Sequence, residues 1–486
     1  MRFLLVLALG LSLAAPALSQ SLGETTFDNS GAEAAQEPFL RGLLLLHSFE
    51  YDDARDAFRE AQAIDPSFAM AYWGEAMTHN HPIWMRQDRD AAHDALARME
   101  ANLVAITPRE SDYLRTLDFL FGEPGDDTFD KETRDDRYAV AMQALAENHP
   151  DDLDARAFYA LALLGTAHEG RDFSIYMRAA AVAEEVFAQN PRHPGAAHYL
   201  IHAYDDPVHA PLGLRAARVY DRIAPDASHA LHMPSHIYLS LGMWEETRDM
   251  NQRSYDAARA ASERRGEPLN GHGWHALAWW HYAATQTGER ALADSLVVVA
   301  QRDAASGSGR TATAHATRVT AQHALAFGDW DRLTTWASAE DQGLWIHAVD
   351  THARGLAALA VGDADEASAL LEALEMRIDE TEDPDDVSWT VHGAAHSLAA
   401  AIHQHDGDRE TALDLLRRAA EAETAAPLTF GPPTPTIPSN EALGYLLLEM
   451  NQPEAAAEAF RASLDRAPNR RQSVDGLALA TRALGG

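Results

Sequence analysis

The stretch His198-Tyr-Leu-Ile-His202, followed by His229 and by His232-Met-Pro-Ser-His236, decides how the rest of the chain is read. His198 and His232 are 34 residues apart, and so are His202 and His236. A pair of histidines four apart therefore recurs one period later. Residues four apart share one helix face, about 5–6 Å apart at Cβ. A period of this length is that of stacked helix-turn-helix units. The same interval of 34 separates Pro191 from Pro225 and Gly328 from Gly362.

Working outward, Pro38-Phe39-Leu40-Arg41-Gly42 and the leucines to Leu46 open one helix. Tyr51 to Ile64 supplies a second, with Ala54, Phe58 and Ala61 on one face and Pro66 beyond it. Leu443-Gly444, Ala456, Phe460, Ser463 and Pro468 repeat that spacing near the other end. Between them Gly242, Gly288, Gly328, Gly362 and Gly407 each follow a first helix, while Pro150, Pro191 and Pro225 end second helices. Small residues let two helices approach, a large one fills the space, and Pro stops the second helix. About eleven helical pairs are expected.

This spacing resembles the tetratricopeptide repeat (TPR) from about residue 38 to residue 470. The resemblance implies an all-α solenoid of helical pairs wound as a right-handed superhelix. It also implies that first helices line a concave groove for a peptide, a protein segment or a small ligand. In the family's register His198 and His232 take the fifth place of their repeats, His202 and His236 the ninth, and Asp205 the twelfth. His352 and Glu441 also fall at the fifth place of theirs.

The remaining segments divide the chain. Residues 1–19 join a basic start, a short apolar run and a small-x-small site, which predicts an export signal cleaved after Ser19. About 13 apolar residues cannot span about 30 Å of hydrocarbon, so no membrane anchor is expected. Residues 20–37 are polar and small and read as a flexible lead-in to the solenoid at 38–424. In the Pro-rich strap at 425–438, Gly431 to Pro438 cannot be helical, and the strap reads as a linker to the last repeat and cap helix at 439–486, or else as a segment that crosses the superhelix and lines its cavity. There is no cysteine, hence no disulfide and no site for lipid attachment. Asp and Glu outnumber Lys and Arg by 74 to 39, a net charge of −35, which repels nucleic acid and anionic membranes. An exported, soluble protein, periplasmic or secreted, is expected.

The chemistry sits in the repeated histidines. His198, His202, His232 and His236 would project into the groove from neighbouring first helices, axes about 8–10 Å apart, within reach of one divalent metal ion. Imidazole ligands suit Zn²⁺ first, then Cu²⁺ or Ni²⁺. Asp205, Asp206, His209 and His229 are candidates for further ligands or for the groups that orient them. Glu75 with His79, His275 in an aromatic segment, His352, His392 with His396, and Glu441 are further groove candidates, each more ordinarily a packing residue. Tyr199 stands where a zinc protease of the His-x-x-x-His type needs its general-base Glu, so that activity is excluded. Neither a phosphate-binding loop nor a nucleophile elbow occurs in the sequence. A binding scaffold with a histidine-rich metal site is expected. Its competitors are a metalloenzyme with Asp205 or Glu75 as base, and a metal-free envelope scaffold.

Overall fold

The structure is a computed structural model that describes residues 20–102, 106–305, 309–336, 342–382, 387–434 and 436–485. The expected export signal at 1–19 lies outside these residues. The described chain is all-α apart from one antiparallel hairpin, Asn80–His81 with Arg86–Gln87. Its helices form eleven successive pairs, from Gln36–His47 with Tyr51–Ile64 to Ser439–Glu449 with Pro453–Arg466, closed by Arg471–Gly485. No described helix is long and apolar enough to cross a membrane.

Packing follows the small-large logic of the sequence. Phe58 is fully buried between two helices that meet it through Gly42 and Gly74. A Cβ at Gly74 would lie 2.4 Å from its ring. The last repeat copies this clasp, with Phe460 held between Gly444 and Gly476. Burying such a ring contributes about 1.5–3 kcal/mol. Helix starts are fixed by caps: Asp88, Asp130, Asp152 and Asp172 accept from backbone N–H groups of their first turns. The expected turn glycines Gly242, Gly288, Gly328, Gly362 and Gly407 all have positive φ, between 65° and 88°. The left-handed backbone lets the second helix fold back on the first. In the first repeat Phe49 occupies that turn, with φ 56°.

Two expectations are corrected. Residues 20–35 are pinned along the molecule rather than flexible. Leu22 and Phe27 are buried, the Ser21 N–H donates to Asp226 at 2.6 Å, Glu24 N–H to the Arg192 carbonyl at 3.0 Å, and Thr25 Oγ1 to Asp154 at 2.8 Å. The Pro-rich segment is not a plain linker. It crosses the interior so that Phe430 faces His236, with ring centroids 5.8 Å apart, and Gly431 backs onto Trp279. The C-terminal repeat then docks on the middle of the chain: Trp244 Nε1 donates to Asn469 O at 3.0 Å, and Arg470 to Tyr282 Oη at 3.1 Å. The array is curled on itself, with the strap inside.

Candidate metal centre

The histidines gather as two trios that share one chamber. His198 and His202, from helix Pro194–Ala203, meet His229 of helix Ser228–His232. His232 and His236, the latter on helix Pro234–Ser240, meet His275 of helix Gly271–Thr287. Within each trio one ring nitrogen per residue lies within 4.8 Å of the others. The trios touch through His202 and His236, with centroids 5.9 Å apart, and through His229 and His232, 6.0 Å apart. The expected single set of four is therefore split between two sets. His229 and His275, read as an accessory group and a groove residue, are full members.

Hydrogen bonds fix which nitrogen of several rings is free. His198 Nδ1 lies 2.7 Å from the His47 carbonyl oxygen, so Nδ1 carries the hydrogen and Nε2 the lone pair. His232 Nδ1 donates to Asn251 Oδ1 at 2.6 Å, and the amide orientation is set because Asn251 Nδ2 donates to Thr247 O. His236 Nδ1 donates to Asp205 at 2.5 Å, whose other oxygen accepts from Ser240 Oγ at 3.1 Å. The free ends then meet. Nε2 of His232 and of His236 are 2.9 Å apart, and Nε2 of His198 and of His202 are 3.1 Å apart. His229 Nε2 is buried with no partner among the described residues. Two lone pairs facing at 2.9 Å repel unless a cation, either a proton or a metal ion, lies against both. Two nitrogens each about 2.0–2.1 Å from one metal ion stand about 2.9–3.4 Å apart for ligand angles between square and tetrahedral. The observed separations fall in or beside that range.

Burial keeps the rings neutral. It pushes His198 down to about 3, and pushes His202, His229, His232 and His275 well below the usual imidazole range. Neighbouring histidines add to the same direction. At neutral pH these rings are uncharged donors of lone pairs, which is the form that binds metal.

The wedge that holds the chamber comes from the first repeat, in the turn His47-Ser48-Phe49-Glu50. His47 supplies the carbonyl to His198. Ser48 Oγ accepts from Tyr220 Oη at 3.2 Å. Phe49 packs on His198, His202 and His229, with centroids 4.3, 5.7 and 5.6 Å away. Glu50 caps helix Ser228–His232 by accepting from Ser228 Oγ and His229 N, both at 2.8 Å. A bulky side chain in the left-handed region costs about 1–2 kcal/mol. Other repeats avoid this with Gly or Asn, as at Gly242 and Asn451. That substitution pattern was the sequence signal for the wedge.

The other expected residues have other partners. Asp205 is committed to His236 and Ser240, so it orients a ring and is not a free base. Asp206 accepts from Arg171 at 3.1 Å and pairs with His209 Nδ1 at 3.0 Å, so neither belongs to the chamber. Glu75 is neutralised by Arg59 at 2.7 Å and Arg98 at 2.5 Å and accepts from Gln62, which removes it as a base. His79 is half-buried outside the trios. His352 is buried alone, and burial pushes it down to about 4. His392 and His396 face each other at 6.5 Å on helix Trp389–His405, with no described contact to the chamber. Glu441 holds Arg470 at 2.7 Å and Ser473 at 2.5 Å, which fixes the last repeat.

A second histidine cluster escaped the sequence reading. Asp154 Oδ1 accepts from His47 Nε2 at 2.8 Å and faces His193 Nε2 at 3.3 Å, and all three side chains are fully buried. Asp154 Oδ2 accepts from Thr25. The other nitrogen of His47 faces Tyr199 Oη at 2.9 Å, and that of His193 accepts from Ala196 N at 3.2 Å. Burial pushes the Asp154 carboxyl up, but hydrogen bonds from His193 and His47 hold it far below its ordinary range.

Residues 437–470 match the family model of a tetratricopeptide repeat. The chain resembles several solved structures. Yeast Tom70 is 12% identical over 93% of this chain and 96% of its own, with a TM-score of 0.39. The human IFIT1 dimer with m7Gppp-AAAA is 11% identical over 94% and 92%, at 0.39. The Cut9–Hcn1 hetero-tetramer of the APC/C is 14% identical over 93% and 78%, at 0.36. No curated protein matches. Residues 437–470 are thus a matched tetratricopeptide repeat, and the described chain before them is an all-α array of helical pairs.

Proposed function

We propose that this scaffold is a metalloprotein that holds two divalent ions in its central chamber, one per histidine trio, and takes a ligand at the chamber's mouth. One observation carries the reading: paired Nε2 atoms 2.9 and 3.1 Å apart, with the opposite nitrogens of His198, His232 and His236 engaged as donors. An outer carboxylate, amide or carbonyl that orients each ring is what metal-ligating histidines use. Neutral imidazoles favour Zn²⁺, then Cu²⁺ or Ni²⁺. The acidic protein, at −35, concentrates such cations around it. Export, proposed from residues 1–19 alone, is checked by N-terminal sequencing of the mature protein.

A metalloenzyme is the second reading, favoured by the ligand number. Three imidazoles leave a coordination position open, and such an ion can polarise or deprotonate a bound water. His275, half-buried, is where that position would meet solvent.

Metal analysis of the purified protein by mass spectrometry tests the proposal. About two equivalents are expected, with one lost in His202→Ala, one in His236→Ala and both in the double variant. A protein that stays metal-free after incubation with Zn²⁺ and Cu²⁺ sinks it.

A further inference from the structure

Beside the second trio lies a cavity of about 400 Å³ whose walls include Arg318, Arg310, His315, Gln342, Trp345 and Ile346. It adjoins the chamber, because the His315 and His275 rings are 6.4 Å apart. Three of its groups lack what they need. Arg318, on helix Gly309–Phe327, makes no ion pair or hydrogen bond among the described residues, although the chain has 74 carboxylates. Its only close ring contact is the face of Trp345, at 5.5 Å. Gln342 Nε2 and His315 Nδ1 are both buried without a partner.

A half-buried guanidinium without a counter-ion is costly, and so is a buried amide without an acceptor. Burial alone pulls Arg318 down to about 10, since no carboxylate opposes it. Buried Arg470, by contrast, is matched by Glu441, and buried Arg134 donates to two carbonyls and the Gln87 amide. What would satisfy Arg318 is an anion that also offers acceptor oxygens to Gln342.

We propose that this cavity binds the carboxylate of a small organic acid. Arg318 and the Gln342 amide take its oxygens, and Trp345 and Ile346 flank its apolar part. Arg310, which also lines the cavity, has a partner of its own, so Arg318 leaves one positive charge to balance, whereas a phosphate brings about −1.5 to −2 at pH 7. Aromatic and aliphatic walls suit a ligand with an apolar body. The site does not depend on metal in the chamber. A bound acid would sit next to His275, facing the open side of the second trio.

Titration calorimetry on chelator-treated full-length protein tests this, with benzoate, hexanoate, benzamide and inorganic phosphate as probes. At least one of the two acids should bind saturably, and benzamide, which lacks the charge, at least about tenfold more weakly. Arg318→Gln should weaken the acid about tenfold or more with helical circular dichroism unchanged. If that variant fails to fold, Gln342→Leu decides, with a severalfold loss expected. Saturation by neither acid, equal binding of benzamide, or an acid affinity unchanged in the folded variant overturns the proposal. Displacement of the acid by phosphate at lower concentration also overturns it, in favour of an inorganic oxyanion.

Discussion

The chamber and the His47–Asp154–His193 cluster are built of the same residue types, a few ångströms apart, and have opposite character. In the cluster the Asp154 oxygens are met by donors from His47 and Thr25, and the second nitrogens of both histidines have partners, while His193 Nε2 stands 3.3 Å from Asp154 without a hydrogen bond. In the chamber, the Nε2 lone pairs of His232 and His236 face each other. The difference lies in where the acceptor that meets the ring N–H sits. Asp154 is in the middle of its cluster and takes the His47 N–H. Asp205, Asn251 and the His47 carbonyl stand outside the chamber and turn the Nε2 lone pairs of His236, His232 and His198 inward. Proximity of histidines is therefore a weak sign of a metal site, and the direction of their hydrogens a strong one.

The largest expected effect contrasts the two regions directly. Asp154→Ala leaves buried donors of His47, His193 and Thr25 unmet, so denaturant unfolding should show a loss of about 3–5 kcal/mol. His202→Leu in metal-free protein removes only a crowded nitrogen and should stay within about 1 kcal/mol of the parent. Equal losses in both would erase the contrast. Next comes acid. His352 is buried outside both regions and pushed down to about 4 from an ordinary 6.5. The unfolded chain binds its proton first as pH falls, so stability is lost between about 6.5 and 4 and not above. His352→Leu should flatten that part of the pH–stability curve by roughly 3 kcal/mol. Part of the slope that remains belongs to the chamber, and that part should steepen with metal, because protons and metal compete for the same nitrogens.

Smaller effects probe the joint between the regions. A Cβ at Gly195 would lie 2.4 Å from His47 Nδ1, so Gly195→Ala should cost about 1–3 kcal/mol in thermal or denaturant unfolding. It should also loosen metal at the first trio more than at the second, because the displaced residue carries the carbonyl that orients His198. Phe430→Ala should change stability least, by under about 1 kcal/mol, since that ring is 42% exposed. Its effect should appear as faster metal removal by a chelator, followed by absorbance. An unchanged rate would mean that the strap does not guard the chamber.

Much of the array was legible in the sequence, because its determinants are local. Turn glycines, closing prolines and the Phe58 and Phe460 clasps all act within one repeat, and the i, i+4 pairs declare a shared helix face. The chamber was legible only in half. His229 lies one turn before His232 and belonged on the same face by spacing alone. Its pairing with His198 and His202 instead depends on how adjacent first helices cross. The Asp154 cluster draws on residues 25, 47, 154 and 193, and no spacing rule joins them. The strap and the leading segment were misread because polar, Pro-rich composition describes a chain without helix, not a chain without partners.

The pinned leading segment bears on how the protein comes into being. Ser21 waits for Asp226, 205 residues later, and Thr25 for Asp154, 129 residues later. Helical pairs that touch only their neighbours form as the chain is synthesised, one after another. Leu22 and Phe27 break that order: they emerge first and have no complete seat until several further repeats exist. Closing such long loops is slow compared with folding a single pair. Until then the growing chain carries an exposed apolar end and an unfinished chamber. Assembly therefore resembles a zip fastened from the far side, with the earliest residues the last to lock.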